Sequence, residues 1–223
     1  IMAYILNIET ATKNCSVSIA KNGETLQCIQ IAEEGYSHAE KLHVFIEKII
    51  ADLKLTFHDL SAIAVSQGPG SYTGLRIGIS AAKGLCYALN IPLIAIDTLE
   101  VLAAQAKVKN GLIIPMIDAR RMEVYSAIFN ANLEKTRAIQ AEIITEDSFA
   151  EIKETCYFVG DCANKCRPIL TKSNFVFLEE VIYPSAADMS NFSYVKFQNN
   201  DTVDVAYFEP YYLKDFLITV SKK

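Results

Sequence analysis

Two acids stand where a sequence most readily places chemistry. Glu9 closes the apolar run Tyr4-Ile5-Leu6-Asn7-Ile8, and Asp118 closes Leu112 to Ile117 in the same way. Two readings are open for the pair: the carboxylates face each other across a cleft, or each caps the turn after its strand. His38 and His43 are five residues apart. On a helix that turns them about 140° from one another, whereas a zinc pair needs a spacing of three or four. They read as a polar residue at a helix start and a surface histidine. Cys156, Cys162 and Cys166 form C-x5-C-x3-C without a fourth ligand or a neighbouring His, so buried free thiols are expected there rather than a structural zinc. No serine lies in a G-x-S-x-G elbow, and the 3 histidines offer no triad. Gly68-Pro69-Gly70 lacks the G-K-[ST] end of a P-loop and reads Gly74-Leu75-Arg76 instead. The side-chain chemistry alone does not demonstrate an enzyme, and neither a cofactor nor a resident metal is expected.

The elements that position these residues centre on Gly68-Pro69-Gly70-Ser71-Tyr72-Thr73-Gly74-Leu75-Arg76-Ile77-Gly78, which opens a segment running to Asn90. The glycines permit a tight turn after the apolar strand Ala62 to Val65. Ser71 or Thr73 can then cap a helix, leaving its first N–H groups pointing past the strand's end. Gly74, Gly78 and Gly84 each weaken that helix by about 1 kcal/mol relative to Ala, which implies close approach of another backbone. Gly74, Gly78, Ala81, Leu85 and Ala88 form one stripe, beside a second of Leu75, Ile79, Ala82, Cys86 and Leu89. One stripe covers a sheet; the small-residue stripe suits a second helix, from this chain or another. On that reading Gly78→Ala firms the helix by about 1 kcal/mol, and Gly78→Leu leaves a folded chain that holds a partner helix away.

The 223 residues suffice for one large domain or two small ones. A net charge of −5 argues against a dominant nucleic-acid surface. No apolar run reaches the length of about 18 residues that spans a bilayer, and no signal peptide is read ahead of the first strand. The 6 cysteines lack framework spacing and read as reduced thiols. A cytoplasmic place is expected.

In chain order, Tyr4–Ile8, Cys15–Lys21 and Glu24–Ile31 make a meander of three strands, with Asn22-Gly23 as its hairpin turn. Ser37-His38-Ala39-Glu40 is a capping box before a helix with Leu42, Phe45, Ile46, Ile49 and Leu53 on one face. A strand (Ile63–Val65), the glycine-opened helix and a strand (Leu93–Ile96) complete a β-β-β-α-β-α-β unit. Asp97-Thr98-Leu99-Glu100 caps a connecting helix to about Lys107, which Asn110-Gly111 ends. The order then repeats more faintly: strands at Leu112–Ile117, Met122–Phe129 and Arg137–Ile144, a helix from Asp147, a strand at Tyr157–Val159, a helical turn within Asn164–Leu170, a strand at Phe175–Leu178 and a helix over Ser185–Gln198. The predicted class is α/β, with duplicated ribonuclease-H-like lobes at 1–106 and 107–223 and a cleft between them.

Ile8-Glu9-Thr10-Ala11, Ser37-His38-Ala39-Glu40, the stretch Gly68 to Gly78, Ile117-Asp118-Ala119-Arg120 and Pro210-Tyr211-Tyr212-Leu213-Lys214-Asp215 together resemble the bacterial TsaB family. The resemblance touches both lobes and the C-terminal segment, with little between Glu146 and Asp204. Lys214 stands where the family usually has Arg, and Tyr72 where Phe is common. The resemblance implies the actin/Hsp70/acetate-kinase-like fold in a non-catalytic subunit. Such chains work with TsaD, a catalytic relative, and with the ATPase TsaE. Together they place threonylcarbamoyl on the adenosine beside the anticodon of tRNAs reading codons that begin with A.

The resemblance further implies docking to TsaD through first-lobe helices, a homodimer through the same surface when the chain is alone, and weak or indirect contact with tRNA. The expected interface residues are Leu42, Phe45 and Ile46 on the capped helix, and Gly74, Gly78, Ala81, Ala82 and Leu85 on the glycine-opened helix. TsaD relatives carry an H-x-x-x-H metal pair where this chain reads Thr98-Leu99-Glu100-Val101-Leu102, so a metallopeptidase lacks its ligands. The alternative is a stand-alone ATP-dependent small-molecule kinase of the same fold. It needs glycine-rich phosphate turns, and neither Glu9-Thr10-Ala11-Thr12-Lys13 nor Asp118-Ala119-Arg120-Arg121 contains glycine.

Overall fold

The computed structural model describes residues 2–33, 38–120 and 123–213. Its first half is built on β1 (Tyr4–Glu9), β2 (Asn14–Lys21), β3 (Glu24–Ala32), α1 (His38–Asp52), β4 (Leu60–Gly68), α2 (Tyr72–Leu89) and β5 (Leu93–Asp97). The hairpin at Asn22-Gly23 has φ of 52° and 87°, the doubly left-handed turn that matches strand twist. The sheet order is β3-β2-β1-β4-β5, with β1, β2 and β3 antiparallel and β4 and β5 joining β1 in parallel.

Both faces of this sheet are covered, which explains why its central strands are apolar without alternation. On one face Leu6, Ile8, Val17, Ile63 and Val65 pack against Leu42, Ile46 and Ile49 of α1 and Leu75, Ile79, Ala82 and Cys86 of α2. On the other, Ile5, Ala62, Ala64, Ile94 and Ile96 meet Ala186 and Met189.

A short helix, α3 (Thr98–Ala104), leads to β6 (Leu112–Asp118), β7 (Glu123–Asn130), β8 (Lys135–Ile143), β9 (Cys156–Val159), α4 (Ala163–Cys166), β10 (Phe175–Phe177) and α5 (Ser190–Gln198). The second sheet runs β10-β9-β6-β7-β8, with β6, β7 and β8 antiparallel and β6, β9 and β10 parallel. That repeats the first sheet strand for strand, and the predicted duplicated α/β fold is the observed one.

Two details differ from expectation. No helix starts at Asp147. Instead the chain makes consecutive i to i+3 turns, Ser148 to Thr145, Ala150 to Asp147 and Ile152 to Phe149, at 3.1 to 3.2 Å. Phe149 takes φ of 60° there, which breaks a helix and carries its ring to Phe158 in the second core. The last helix is two pieces, a 3-10 turn at Ala186–Met189 followed by α5. The expected capping box includes Ser37, which lies outside the described residues, as do Lys214 and Asp215.

The two halves exchange helices. Leu99, Leu102 and Ala103 of α3 pack on Ile113, Ile117, Phe129 and Val159 of the second sheet. The Ala186–Met189 turn and Phe192 of α5 close the back of the first sheet. A polar seam latches that turn: Ser16 and Ser18 bond the backbone N–H and carbonyl of Ala186 at 2.9 and 2.7 Å, and Asn14 donates to the Pro184 carbonyl at 2.9 Å. No helix among the described residues is long and apolar enough to cross a membrane.

Candidate functional site

Glu9 and Asp118 take the turn-capping role. One Glu9 carboxylate oxygen accepts from the Ala11 N–H at 2.6 Å and the other from the Ser66 hydroxyl. Asp118 accepts from the Arg120 N–H at 3.1 Å, the same i to i+2 contact in the second lobe. Their surroundings differ. Glu9 is fully buried, and burial pushes its carboxyl up to about 7 against the hydrogen bonds it accepts. Asp118 is half exposed and pairs with Lys165 at 3.1 Å, while its own N–H donates to Asp161 at 3.1 Å. Burial pushes Asp161 up to about 6.

The β1–β2 turn beside Glu9 is sealed by the glycine stretch. Ser71 N–H donates to the Ala11 carbonyl at 2.6 Å. A Cβ on Gly70 would lie 2.4 Å from that carbonyl oxygen. On Gly74 it would lie 2.1 Å from the Thr10 carbonyl, and on Gly78 2.2 Å from the Thr10 hydroxyl, which donates to the Gly74 carbonyl at 2.8 Å. Ser71 caps α2, accepting from Gly74 N–H at 3.2 Å. His38, expected as a helix-start polar residue, is buried, its Nε2 2.7 Å from the Thr12 carbonyl oxygen. Thr10 and Ala11 are inaccessible. The backbone that would have to cradle a phosphate at this turn is thus occupied by the chain's own α2.

These contacts correct the expected interface set. Gly74 and Gly78 meet Thr10 of their own chain, not a partner helix, because the N-terminal end of the small-residue stripe faces the β1–β2 turn. Leu42, Ile46 and Ala82 are equally internal, buried in the first core. Phe45, Ala81 and Leu85 lie at the edge of that core, and Ala81 and Leu85 line an open groove of about 440 Å³ with exposed His43 and with Ile77, Ser80 and Gly84. Gly84 is exposed, and a Cβ there would meet nothing within 4 Å. Sequence reasoning grouped it with the other glycines and passed over Ile77. The signal was the spacing: six residues turn Gly84 about 120° away from Gly78.

The remaining candidates are packing residues. Cys156, Cys162 and Cys166 are free and buried, and burial raises all three thiols. Among the described residues no three His, Cys, Asp or Glu gather as a ligand group. Where a metal pair would stand on α3, the Thr98 hydroxyl accepts from Gly68 N–H at 3.2 Å and Leu102 is buried, lying against Gly160.

The protein-family model of TsaD, tRNA N6-adenosine threonylcarbamoyltransferase, matches residues 32–207. The tRNA threonylcarbamoyladenosine biosynthesis protein TsaB of Escherichia coli K12 is 30% identical over 220 residues, covering 95% of this chain and 94% of that protein. TsaB of Bacillus subtilis is 36% identical over 125 residues, 56% of this chain and 54% of that protein. Among solved structures, YeaZ from Pseudomonas aeruginosa superposes with a TM-score of 0.83 at 23% identity, covering 95% of this chain and all of that one. A dehydratase activator from Clostridium difficile, solved with ADPNP, shares the fold at a TM-score of 0.51 and 10% identity, over 90% of this chain and 97% of that one. Near-complete coverage at 30% identity to the Escherichia coli protein, on a duplicated fold with the glycine-opened α2 seated on it, places this chain in the TsaB family of tRNA threonylcarbamoyladenosine biosynthesis proteins.

Proposed function

We propose that this chain is a non-catalytic subunit of the machinery that places threonylcarbamoyl on tRNA, and that it docks a TsaD-like catalytic subunit on the outer face of α2 beside α1. One observation carries the docking reading. A glycine inside a helix costs about 1 kcal/mol relative to Ala. Gly74 and Gly78 have internal reasons, whereas Gly84 sits exposed in the α1–α2 groove with open space where its side chain would be. Close backbone approach from outside is the physical reason that fits it. Ile77, Ala81 and Leu85 around it supply apolar area, and Tyr87, three residues on along α2, is 86% exposed.

The match of the TsaD family model to this chain supports a pairing of two like folds through like faces. A second copy of this chain can then use the same face as a homodimer. A TsaE-like ATPase and tRNA are met through the complex, in the cytoplasm. The non-catalytic part of the reading is supported by the sealed β1–β2 turn, which leaves a kinase no phosphate cradle. Magnesium-dependent ATP turnover by the purified chain would contradict it.

The test of the docking face is Gly84→Leu. The side chain enters open space, so the fold should hold, while volume forced into a packed contact commonly costs about 1–3 kcal/mol, or roughly ten- to hundred-fold in affinity. Co-purification with the TsaD-like subunit should be lost. Undiminished association of a folded Gly84→Leu chain would remove this face from consideration.

A further inference from the structure

The segment after α5 continues along the first sheet. Val203 bridges to Leu93 of β5, its N–H donating to the Leu93 carbonyl at 2.9 Å. Val203, Val205 and Phe208 pack on the first core. Lys83 of α2 donates to the carbonyls of Ala206 and Phe208, both at 3.0 Å.

Beyond Phe208 the hold changes character. The Tyr211 N–H donates to the Gln67 carbonyl at 2.7 Å. The Tyr211 carbonyl oxygen crowds Gly68, where a Cβ would lie 2.9 Å from it. Arg76 donates from Nε to the Tyr212 hydroxyl at 3.0 Å and lays its guanidinium over the Tyr72 ring, 4.1 Å from the centroid. The rings of Tyr72 and Tyr212 are 5.0 Å apart. Yet Tyr211 and Tyr212 are 45% and 37% exposed. Residues up to Phe208 are thus anchored by apolar side chains, whereas 209–213 are fastened by polar and ring contacts that water competes for. A segment so held can open locally without loss of the core.

What it lies on gives this a consequence. Gln67 and Gly68 open the turn whose Ser71 N–H bonds the Ala11 carbonyl and whose far end starts α2. We propose that residues 209–213 are a releasable strap that holds the Gln67–Ser71 turn against the β1–β2 turn, and so fixes the start of α2, the helix whose outer face docks. Only the last step rests on the docking reading; the hold on the turn stands apart from it. Release of the strap frees the turn first, then the first turn of α2, and leaves β6 to β9 untouched.

The experiment is amide hydrogen exchange on the full chain, with Tyr212→Ala, Arg76→Ala and Tyr212→Phe, and with Tyr207→Ala as the control (Tyr207 is 84% exposed). Tyr212→Ala and Arg76→Ala should speed exchange across 67–76 by about tenfold, with β6 to β9 unchanged. Tyr212→Phe, which keeps the ring but loses the hydroxyl, should fall between, and Tyr207→Ala should match the parent. Unchanged exchange across 67–76 in both alanine variants overturns the strap. Global unfolding of either does so too, because the proposal assigns these residues a local hold only. In parallel, Tyr212→Ala should weaken capture of the TsaD-like subunit by about tenfold. If Gly84→Leu abolishes capture while Tyr212→Ala leaves it intact, the strap's role in docking is overturned and the docking face stands. If exchange rises in Tyr212→Ala while Gly84→Leu captures normally, the docking face falls and the hold on the turn stands.

Discussion

Glu9 shows how a residue that looks catalytic is used for packing. Its carboxyl is fully buried, accepts from Ala11 and Ser66, and stands at about 7 where 4.5 is ordinary. Below about pH 4.5 both the folded and unfolded chains hold its proton. Above that the unfolded chain releases it first, so stability falls as pH rises towards about 7 and stays lowered beyond. A shift of that size corresponds to about 3 kcal/mol. In Glu9→Gln the amide oxygen still accepts from Ala11 N–H and the amide nitrogen donates to Ser66. The variant should therefore be more stable than the parent at pH 8 and no more stable at pH 4.5, as read by urea titration at both. An equal difference at the two pH values would show that Glu9 is not the titrating group. Gly78 gives a second residue-scale expectation. Gly78→Ala should destabilise by about 1–3 kcal/mol, because its methyl would displace the Thr10 hydroxyl from Gly74. A raised melting temperature would restore the simple helix-propensity view.

Among the elements, α2 has a helix propensity lowered by its three glycines yet is fixed on three sides, by the sheet, by the β1–β2 turn and by the segment after α5. Gly84→Ala separates its intrinsic propensity from its surroundings: with nothing in the way, the helix should gain about 1 kcal/mol, measured by denaturation of the isolated chain. A loss of stability there would mean Gly84 is constrained from within. The short α3 depends on the residue just before it. Asp97 accepts from Leu99 N–H at 2.8 Å and Glu100 N–H at 3.4 Å and pairs with Lys135 of the second sheet. Asp97→Ala should cost about 1–2 kcal/mol, and Asp97→Asn, which keeps the cap and drops the charge, distinctly less. Equal losses in the two would assign the effect to the ion pair.

For the whole molecule, the exchanged helices bind the halves together. With α3 under the second sheet and the Ala186–Met189 turn and α5 behind the first, neither half keeps its core if the other melts. Thermal unfolding should be one transition in every probe, and two resolved transitions would show that the lobes fold independently. Charge acts at the same scale. At a net −5, the isolated chain should bind tRNA weakly and lose that binding as salt rises. Tight, salt-resistant binding would contradict the reading in which tRNA is met through the complex.

The order of elements along the chain, the hairpin at Asn22-Gly23, a cap at Ser71 or Thr73 and the duplication were legible in the sequence, because each is set by local propensity or by periodicity along a few residues; the choice of Ser71 and the order of strands in each sheet came from the structure. The family was legible for a similar reason, since its motifs are contiguous. The missing helix at Asp147 was not, because Phe149 leaves helical geometry to reach a core that the rest of the chain builds. Nor was the direction of the α2 glycines. A stripe of small residues says that something comes close, but only the tertiary structure shows that Thr10 fills the side with Gly74 and Gly78 and that open space lies beside Gly84. The same holds for the acids: sequence placed Glu9 and Asp118 at matching strand ends, and the difference in their burial, which separates an inner capping group from a surface ion pair, is decided by what α2 lays over the first turn and not over the second.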